Sequence, residues 1–197
     1  MMTPKFIDEG KDIRVVFGPC RISYPHVFEP HAANSDDTPK YSASILIPKA
    51  EQATISVLKK AIQAVFDRAI SSKWAGLRPK DGYWNNPLMD GDSPKKTGED
   101  RSEEYQDCLF VAAKSQQKPA LFNKDGSDLE DEEEIYGGVW AYAIVHFYPY
   151  SKGSKGIGCE LFALKKFKDD TAWSGTNKKE TASSDFSGLG DNDDDDL

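Results

Sequence analysis

Long hydrophobic runs are absent from this 197-residue chain. A membrane-spanning helix needs roughly 18 consecutive apolar residues, and no stretch of the sequence approaches that length. The first residues, MMTPKFIDE, also lack the apolar segment of an export signal. These two absences predict a soluble, cytoplasmic protein without a membrane partner.

Cysteine is scarce as well. Cys20, Cys108 and Cys159 are odd in number and irregularly spaced, which is not the pattern of a disulfide framework. None of them has a second Cys or a His within a few residues, as the ligands of a zinc site would. We therefore expect three buried structural thiols, no metal and no cofactor.

Motifs of enzyme active sites are missing too. The glycines of Gly153-Ser154-Lys155-Gly156 do not make a phosphate-binding loop, and no Gly-x-Ser-x-Gly elbow occurs. The carboxylates lie in low-complexity runs, whereas a catalytic carboxylate must hold its metal rigidly. We expect no catalytic residue and no enzyme, and a metal-dependent nuclease is a less favoured alternative.

Two segments contain acids but no base. The formal net charge is −8, from 25 Lys and Arg against 33 Asp and Glu. Residues 125–134 hold seven acids and residues 180–197 hold seven more, which leaves 33 − 14 = 19 acids against all 25 bases. The rest of the chain therefore carries +6. A mildly basic body with two acidic segments is a stronger signal than the total charge.

Alternating hydrophobicity predicts several short strands and one helix. Residues 13–17 and 21–24 are two strand segments separated by a turn or bulge at Gly18-Pro19, and residues 41–47 form a strand that Pro48 ends. Residues 108–115 and 119–123 are predicted to pair with each other. Residues 51–72 carry one apolar stripe at helical spacing, without a usual N-cap residue, and this helix is interpreted as structural.

Residues 73–106 have no sustained period and form a long insertion. It is dense in aromatic residues, most of which we expect to anchor the loop to the body: Trp74, Tyr83, Trp84 and Tyr105. Residues 136–150 form a strand with one small apolar face and one aromatic face, and residues 157–167 are its hairpin partner. The resulting fold class is mainly β, an OB-fold-like small barrel with one amphipathic helix and long loop insertions over residues 1–170. Residues 171–197 are predicted to be a disordered acidic tail.

The body offers the parts that a single nucleic-acid strand requires, which are aromatic faces for the bases and cations for the phosphates. The candidate DNA-binding residues lie on predicted outer faces and strand ends: Arg21, Lys40, Phe110, Lys114, Lys118, Trp140, Tyr142, Tyr148, Tyr150, Lys152, Lys155 and Lys165. Each aromatic has an alternative role in packing, and each lysine can simply be solvated. Which face of each strand is the core stays open at this point.

The tail suggests regulation. A polyanion tethered to a basic body has a high effective concentration at the groove of that body, so it should compete weakly with DNA. Once displaced, its acidic and apolar end could bind a replication or recombination protein. The residues assigned to this role are Asp193, Asp194, Asp195, Asp196 and Leu197.

Several blocks of sequence, in a fixed order, resemble a known family. They are RISYPHVFEP (21–30), PKYSASILIPK (39–49) before the helix, PLMDGD (87–92), FVAAKS (110–115), KP (118–119), YGG (136–138), FY (147–148) and KGIGC (155–159). The chain is identified by them, over residues 13–168, as a member of a phage single-stranded DNA-binding family, long catalogued as a domain of unknown function. It is similar in plan to the replication-fork binding proteins of podophages.

The resemblance implies an OB-fold barrel, binding of single strands in phage replication and recombination within the host cytoplasm, and an acidic tail. Self-association on DNA is compatible with it. The tail departs from the better-known pattern because it ends in Leu197 rather than in an aromatic residue. A DNA-mimicking acidic interaction protein is the main alternative, but it would need an acidic body rather than one of +6.

Overall fold

The computed structural model describes residues 2–10, 12–32, 34–80 and 82–173. Within these residues it contains eight strands and one α-helix: β1 (Lys5–Glu9), β2 (Asp12–His31), β3 (Lys40–Pro48), α1 (Gln52–Ser71), β4 (Leu88–Asp90), β5 (Cys108–Ser115), β6 (Ala120–Phe122), β7 (Trp140–Tyr150) and β8 (Gly156–Lys168). Two single 3₁₀ turns, Glu103–Tyr105 and Glu132–Glu134, lie in the loops.

All strands belong to one sheet of order β4-β5-β3-β2-β7-β8-β6, with β1 paired to β2. Strands β5 and β8 are separated by three others along this path, yet they contact each other, so the sheet curls back on itself. We call the line where they meet the seam. Among the described residues no backbone hydrogen bonds pair β5 with β8, so the sheet is curled but does not close into a continuous hydrogen-bonded barrel. The predicted mainly β, OB-like fold with one helix is confirmed.

The inner face of the curled sheet is the apolar core. The small apolar face of β7 and of the residue before it points inward, and its residues are at most 1% exposed: Val139, Ala141, Ala143, Val145 and Phe147. Small side chains there leave room for the larger core residues of β2 and of the helix. The aromatic face of β7 consequently points outward, which settles the orientation that the sequence left open.

Helix α1 packs its apolar stripe against this inner face. Leu58 is fully buried at the centre of the stripe, where burial of a leucine side chain stabilises the fold by about 1.5–3 kcal/mol. Glu51 occupies the N-cap position without a side-chain hydrogen bond, as the sequence predicted. The helix is structural and lies behind the sheet, away from its outer surface.

The predicted turn or bulge at Gly18-Pro19 is a bulge between Phe17 and Cys20, so residues 13–24 belong to one strand, β2. The predicted partner of residues 119–123 is wrong. Strand β6 pairs in parallel with β8 and not with β5, since the chain crosses the seam after Ser115. Register between distant strands is not visible in local alternation.

The long insertion is anchored mainly by its aromatic residues, as expected. Trp74 and Tyr105 are buried, and Trp84 packs on Phe66 at a ring-centroid distance of 4.8 Å, whereas Tyr83 is 79% exposed.

The cysteines are free, and Cys20 and Cys159 are buried as predicted, but Cys108 is only half-buried. Burial raises the pKa of the Cys20 thiol to about 12.

The packed part of the chain reaches at least Trp173, three residues past the predicted boundary at 170, because the Trp173 backbone N–H donates to Gly137 O at 2.7 Å. The tail residues Asp193, Asp194, Asp195, Asp196 and Leu197 lie outside the described residues.

Where the structure describes the chain, no helix has the length and apolarity needed to cross a bilayer. The same residues hold no cluster of His, Cys, Asp and Glu that could bind a metal.

Candidate nucleic-acid interface

Two adjoining clefts run over the outer surface of the barrel. The first, of about 640 Å³, lies on the outer face of β2, β3 and β5. The second, of about 550 Å³, lies at the seam between the end of β5 and the β7–β8 hairpin. Both are lined by Lys40, Ala112, Lys114 and Gln116, so they form one continuous surface, which we call the groove.

The floor of the groove is made of small side chains. Ser42 pairs with Lys114 and Ser44 pairs with Ala112 across β3 and β5, so all four point outward. Their neighbours on β3, Ala43 and Ile45, point inward and are buried. Because little side-chain volume covers this part of the sheet, a chain of another molecule can approach the strand backbone closely.

Two lysines stand at the centre of the groove. Lys40 begins β3 and Lys114 lies near the end of β5, and neither forms an ion pair within the described part of the chain. Carboxylates lie at the two ends of the groove, where Asp36 and Asp37 border the first cleft and Glu160 borders the second. The positive charge is therefore concentrated in the middle.

Tyr148 and Tyr150 form the aromatic wall at the seam. On β8 they face Gly158 and Gly156, respectively, and a methyl group on either glycine would collide with the opposite tyrosine ring. Each ring therefore lies flat across the neighbouring strand. Tyr148 is 41% exposed, while the Tyr150 hydroxyl accepts a hydrogen bond from Asn85 Nδ2 at 2.8 Å. Burial and the nearby Glu160 raise the pKa of Tyr148, which keeps the phenol neutral.

Tyr24 is the most exposed aromatic side chain of the groove, at 57%. It lies in a bulge of β2 between Ser23 and His26 with a φ of 46°, an uncommon conformation for a non-glycine residue. Beside it, the rings of His26 and His31 stack at 4.4 Å. Burial, together with the proximity of His31, lowers the pKa of His26.

One carboxylate ties the seam together. Glu160 of β8 lies 3.1 Å from His146 Nδ1 of β7 and accepts a hydrogen bond from Ser115 Oγ of β5 at 3.4 Å. These contacts link three strands where no backbone ladder closes the described sheet. They hold the two walls of the second cleft at a fixed separation.

Arg21 and Trp140, two predicted DNA contacts, lie outside the groove in a closed cluster. The Arg21 guanidinium stacks 4.2 Å from the Trp173 ring and bonds Asp170 Oδ2 at 3.0 Å, while Trp140 Nε1 donates to the same oxygen at 2.7 Å. Arg21 also donates to Thr171 O at 3.1 Å. We call these five residues the Arg21 cluster.

Phe110 requires a correction. It is 3% exposed and packs edge-to-face on Tyr105 at 4.9 Å, with Arg101 4.6 Å above its ring. The insertion folds over the outer face of β3 and β5 at this level, so a side chain predicted to face DNA becomes part of a second small core. In this structure it offers no ring face to a ligand.

The other predicted residues are dispersed. Tyr142 and Lys165 pair across β7 and β8 on the outer face of the sheet, beyond the groove. Lys155 donates to Leu77 O at 3.0 Å, and Lys118 lies 5.5 Å from the Phe28 ring. Lys152 is exposed in the β7–β8 turn. Of the twelve candidates, the structure brings Lys40, Lys114, Tyr148 and Tyr150 together in the groove.

Tyr24, His26 and His31 also line the groove, although the sequence analysis did not predict them. A signal was present, because Tyr24 and His26 flank Pro25, and a proline within a strand marks a bulge or an edge. A bulge turns side chains away from strict alternation, so the outward face of β2 could not be assigned by period alone.

Comparisons with known proteins identify a family and a relative that this chain resembles. The profile of a family described as "Enterobacter phage Enc34, ssDNA-binding protein" matches residues 13–197. Protein p50 of Acyrthosiphon pisum secondary endosymbiont phage 1 is 30% identical over 163 residues, which cover 79% of this chain and 83% of that protein.

Two solved structures share the fold. The single-stranded DNA-binding protein from bacteriophage Enc34, solved in complex with ssDNA, superposes with a TM-score of 0.69 at 23% identity, covering 85% of this chain and 96% of that one. The single-stranded DNA-binding protein gp2.5 of bacteriophage T7 gives a TM-score of 0.57 at 13% identity, covering 82% and 94%.

Proposed function

The chain belongs to the family of the Enterobacter phage Enc34 single-stranded DNA-binding protein, and from this premise we propose that it binds single-stranded DNA in the groove. The observation that carries the proposal is the arrangement of the groove itself. Two exposed tyrosines, Tyr24 and Tyr148, flank a floor of small residues with Lys40 and Lys114 at its centre.

Each part of the groove has a role in this mechanism. Tyr24 and Tyr148 stack on bases, and each stacked base contributes about 1–3 kcal/mol regardless of its identity. Lys40 and Lys114 neutralise phosphates and release counterions, so binding weakens as salt rises. Because neither interaction depends on the pattern of base edges, we expect binding to tolerate any sequence.

The geometry also favours single strands over duplex. Stacking on Tyr24 and Tyr148 requires bases that are splayed out of a helix, and each ring lines a different cleft of the groove. The protein would coat and protect exposed strands during phage DNA replication and recombination in the host cytoplasm. No catalytic residue takes part in this function.

The acidic tail is assigned a modulating role. Its charge, including Asp193 to Asp196, is tethered to the body and competes with phosphates for the cations of the groove. Displacement of the tail by DNA would then free Leu197 and the neighbouring aspartates for a replication or recombination protein. Residues 1–170 as a whole carry 23 bases against 26 acids, because residues 125–134 lie within the fold. The competition is therefore local and concerns Lys40 and Lys114, which form no ion pair with a described carboxylate.

The test is a titration of fluorescent oligo-dT with the full chain and with a truncation that ends at Ser184, at two salt concentrations. We expect both forms to bind, more weakly at high salt, and the truncation to bind more tightly. Absence of binding by either form would overturn the proposal. Equal affinity of the two forms would remove only the role of the tail.

A further inference from the structure

Beyond the groove, the outer faces of β7 and β8 carry a second row of exposed aromatic rings. Phe162 is 47% exposed and Phe167 is 40% exposed. Phe162 points outward because a bulge in β8 between the partners of Ile144 and Val145 interrupts the alternation there. Phe167 packs edge-to-face on Tyr142, with ring centroids 5.4 Å apart.

Cations are interleaved with these rings. The Arg14 guanidinium lies 5.5 Å over the Phe162 ring and also bonds Glu9 at 2.9 Å. Lys165 lies between Phe162 and Phe167 on β8 and pairs with Tyr142 across the sheet. We call Arg14, Tyr142, Phe162, Lys165 and Phe167 the outer stripe.

The outer stripe begins where the groove ends. Arg14 pairs with His146 across β2 and β7, and His146 lines the groove at the seam. Phe162 and Phe167 are five residues apart on β8, but both are bulged and together lie opposite about four residues of β7, which corresponds to about 13 Å at the usual rise per residue. The stripe therefore adds a length of surface comparable to several nucleotides, and it adjoins the groove at the Arg14–His146 pair.

An unpartnered apolar face could have other occupants, but the charge pattern distinguishes them. A protein contact of this kind is depleted in charge at its centre, whereas here an arginine and a lysine alternate with the rings. A surface that binds single-stranded DNA needs cations for the phosphates and exposed aromatic rings for the bases, and the outer stripe alternates the two.

We propose that the outer stripe is a second part of the DNA path, over which a bound strand continues from Tyr148 past Arg14 to Phe162 and Phe167. This inference rests on the proposed function of the groove. It predicts that short oligonucleotides occupy the groove alone and that longer ones also contact the stripe.

Oligonucleotide length separates the two surfaces experimentally. Binding of the full chain to dT oligomers of about 5 and about 16 nucleotides, near the ends of the site-size range of OB folds, would be measured for Phe162→Ala/Phe167→Ala. We expect the double variant to bind the longer oligomer at least about fivefold more weakly than wild type and the shorter one unchanged, since one lost stacking contact is worth that much.

Two further variants make the result specific. Phe162→Leu/Phe167→Leu keeps the apolar volume but removes the π-faces, so it should also lose affinity for the longer oligomer. Phe6→Ala is the matched control, because Phe6 is 38% exposed but lies on β1 opposite Val15, on the face of the sheet that α1 covers. Circular dichroism checks that every variant is folded.

The outcomes separate this inference from the proposed function. Unchanged binding of the longer oligomer by the alanine variant, or full rescue by the leucine variant, would overturn the second path while leaving the groove intact. Loss of self-association in sedimentation, with DNA affinity unchanged, would assign the stripe to a protein contact and overturn it as well. Failure of wild type to bind either oligomer would instead defeat the proposed function.

Discussion

The groove and the Arg21 cluster contain the same residue types, basic side chains beside aromatic rings on the outer face of the sheet. In the groove, Lys40 and Lys114 form no ion pair with any described residue, and Tyr148 is 41% exposed. In the Arg21 cluster, the guanidinium is already bound by Asp170 and stacked on Trp173, and its side chain is only 19% exposed.

The difference lies in what the chain does after β8. Residues 169–173 turn back over the outer face beside Gly137 and Gly138, and a side chain at Gly138 would collide with Thr171 O. The Asp170 carboxylate and the Trp173 indole thus bind the Arg21 guanidinium at the positions where a DNA phosphate and a base would otherwise bind it. An aromatic ring beside a basic residue is therefore a binding site only where the ring itself stays exposed, as Phe162 does at 47% beside Arg14, whereas Trp140 is partly buried beside Arg21.

The largest expected contrast is between Tyr148 and Trp140. Tyr148→Ala should weaken oligo-dT binding by about 1–3 kcal/mol, roughly 5- to 150-fold, because it removes an exposed stacking face. Trp140→Ala should leave affinity within about twofold, since its ring already lies under Arg21 and Lys168, but should lower the melting temperature. Fluorescence titration and thermal melting measure both. Equal affinity losses would remove the distinction between open and closed regions.

The next contrast concerns the lysines. Lys40→Ala/Lys114→Ala should reduce the slope of log K against log salt by about 1.4, or 0.7 per lost phosphate contact. If the two proteins bind equally at 1 M salt, this corresponds to about 25-fold weaker binding at 0.1 M. The control is Lys59→Ala/Lys60→Ala on the exposed face of α1, which removes the same charge at a distance from the groove. An identical change in slope in the control would mean that the two groove lysines have no special role.

The smallest expected effect is on the pH dependence of thermal stability, and it concerns Asp170 in the Arg21 cluster. The Trp140 indole N–H, the Thr171 backbone N–H and Arg21 lower the pKa of Asp170 below its ordinary value. A lowered carboxyl pKa contributes stability that is fully present above the unfolded pKa of about 3.9 and is lost as pH falls through the folded pKa. Wild type should therefore melt above Asp170→Asn at pH 7, with a gap that narrows below about pH 4.

Thermal melting of both proteins at several pH values measures this gap. Asp100→Asn, in an exposed loop, serves as the control for a general loss of one carboxylate. A gap between wild type and Asp170→Asn that stays constant down to pH 3 would show that Asp170 does not act through its charge.

Much of the fold could be predicted from the sequence because its signals are local. The apolar stripe of α1 follows from spacings of three and four residues, and the two faces of β7 follow from alternation. The two acidic runs at 125–134 and 180–197 can be read directly from the sequence, and alternation places Tyr148 and Tyr150 on the same face of β7. These properties depend on residues within one element.

The candidate site was less predictable because it depends on contacts between distant segments. Phe110 alternates correctly on β5 but is covered by an insertion whose path only the folded chain reveals. Tyr24 was missed because a bulge in β2 changes which side chains face outward. Arg21 and Trp140 have the chemistry of DNA contacts, but Asp170 bonds both of them, and it lies 149 positions after Arg21 and 30 after Trp140.

The sequence by itself determined the mainly β class, the single structural helix, the two acidic runs and the supply of aromatic and basic side chains, since each is encoded by composition or short-range periodicity. Only the tertiary structure decided which of these side chains share one surface. The register of β7 on β8 places Tyr148 over Gly158, and the curl of the sheet brings Lys114 beside it. Register and curl are set by the packing of the whole core, because a strand carries no local signal of its partner.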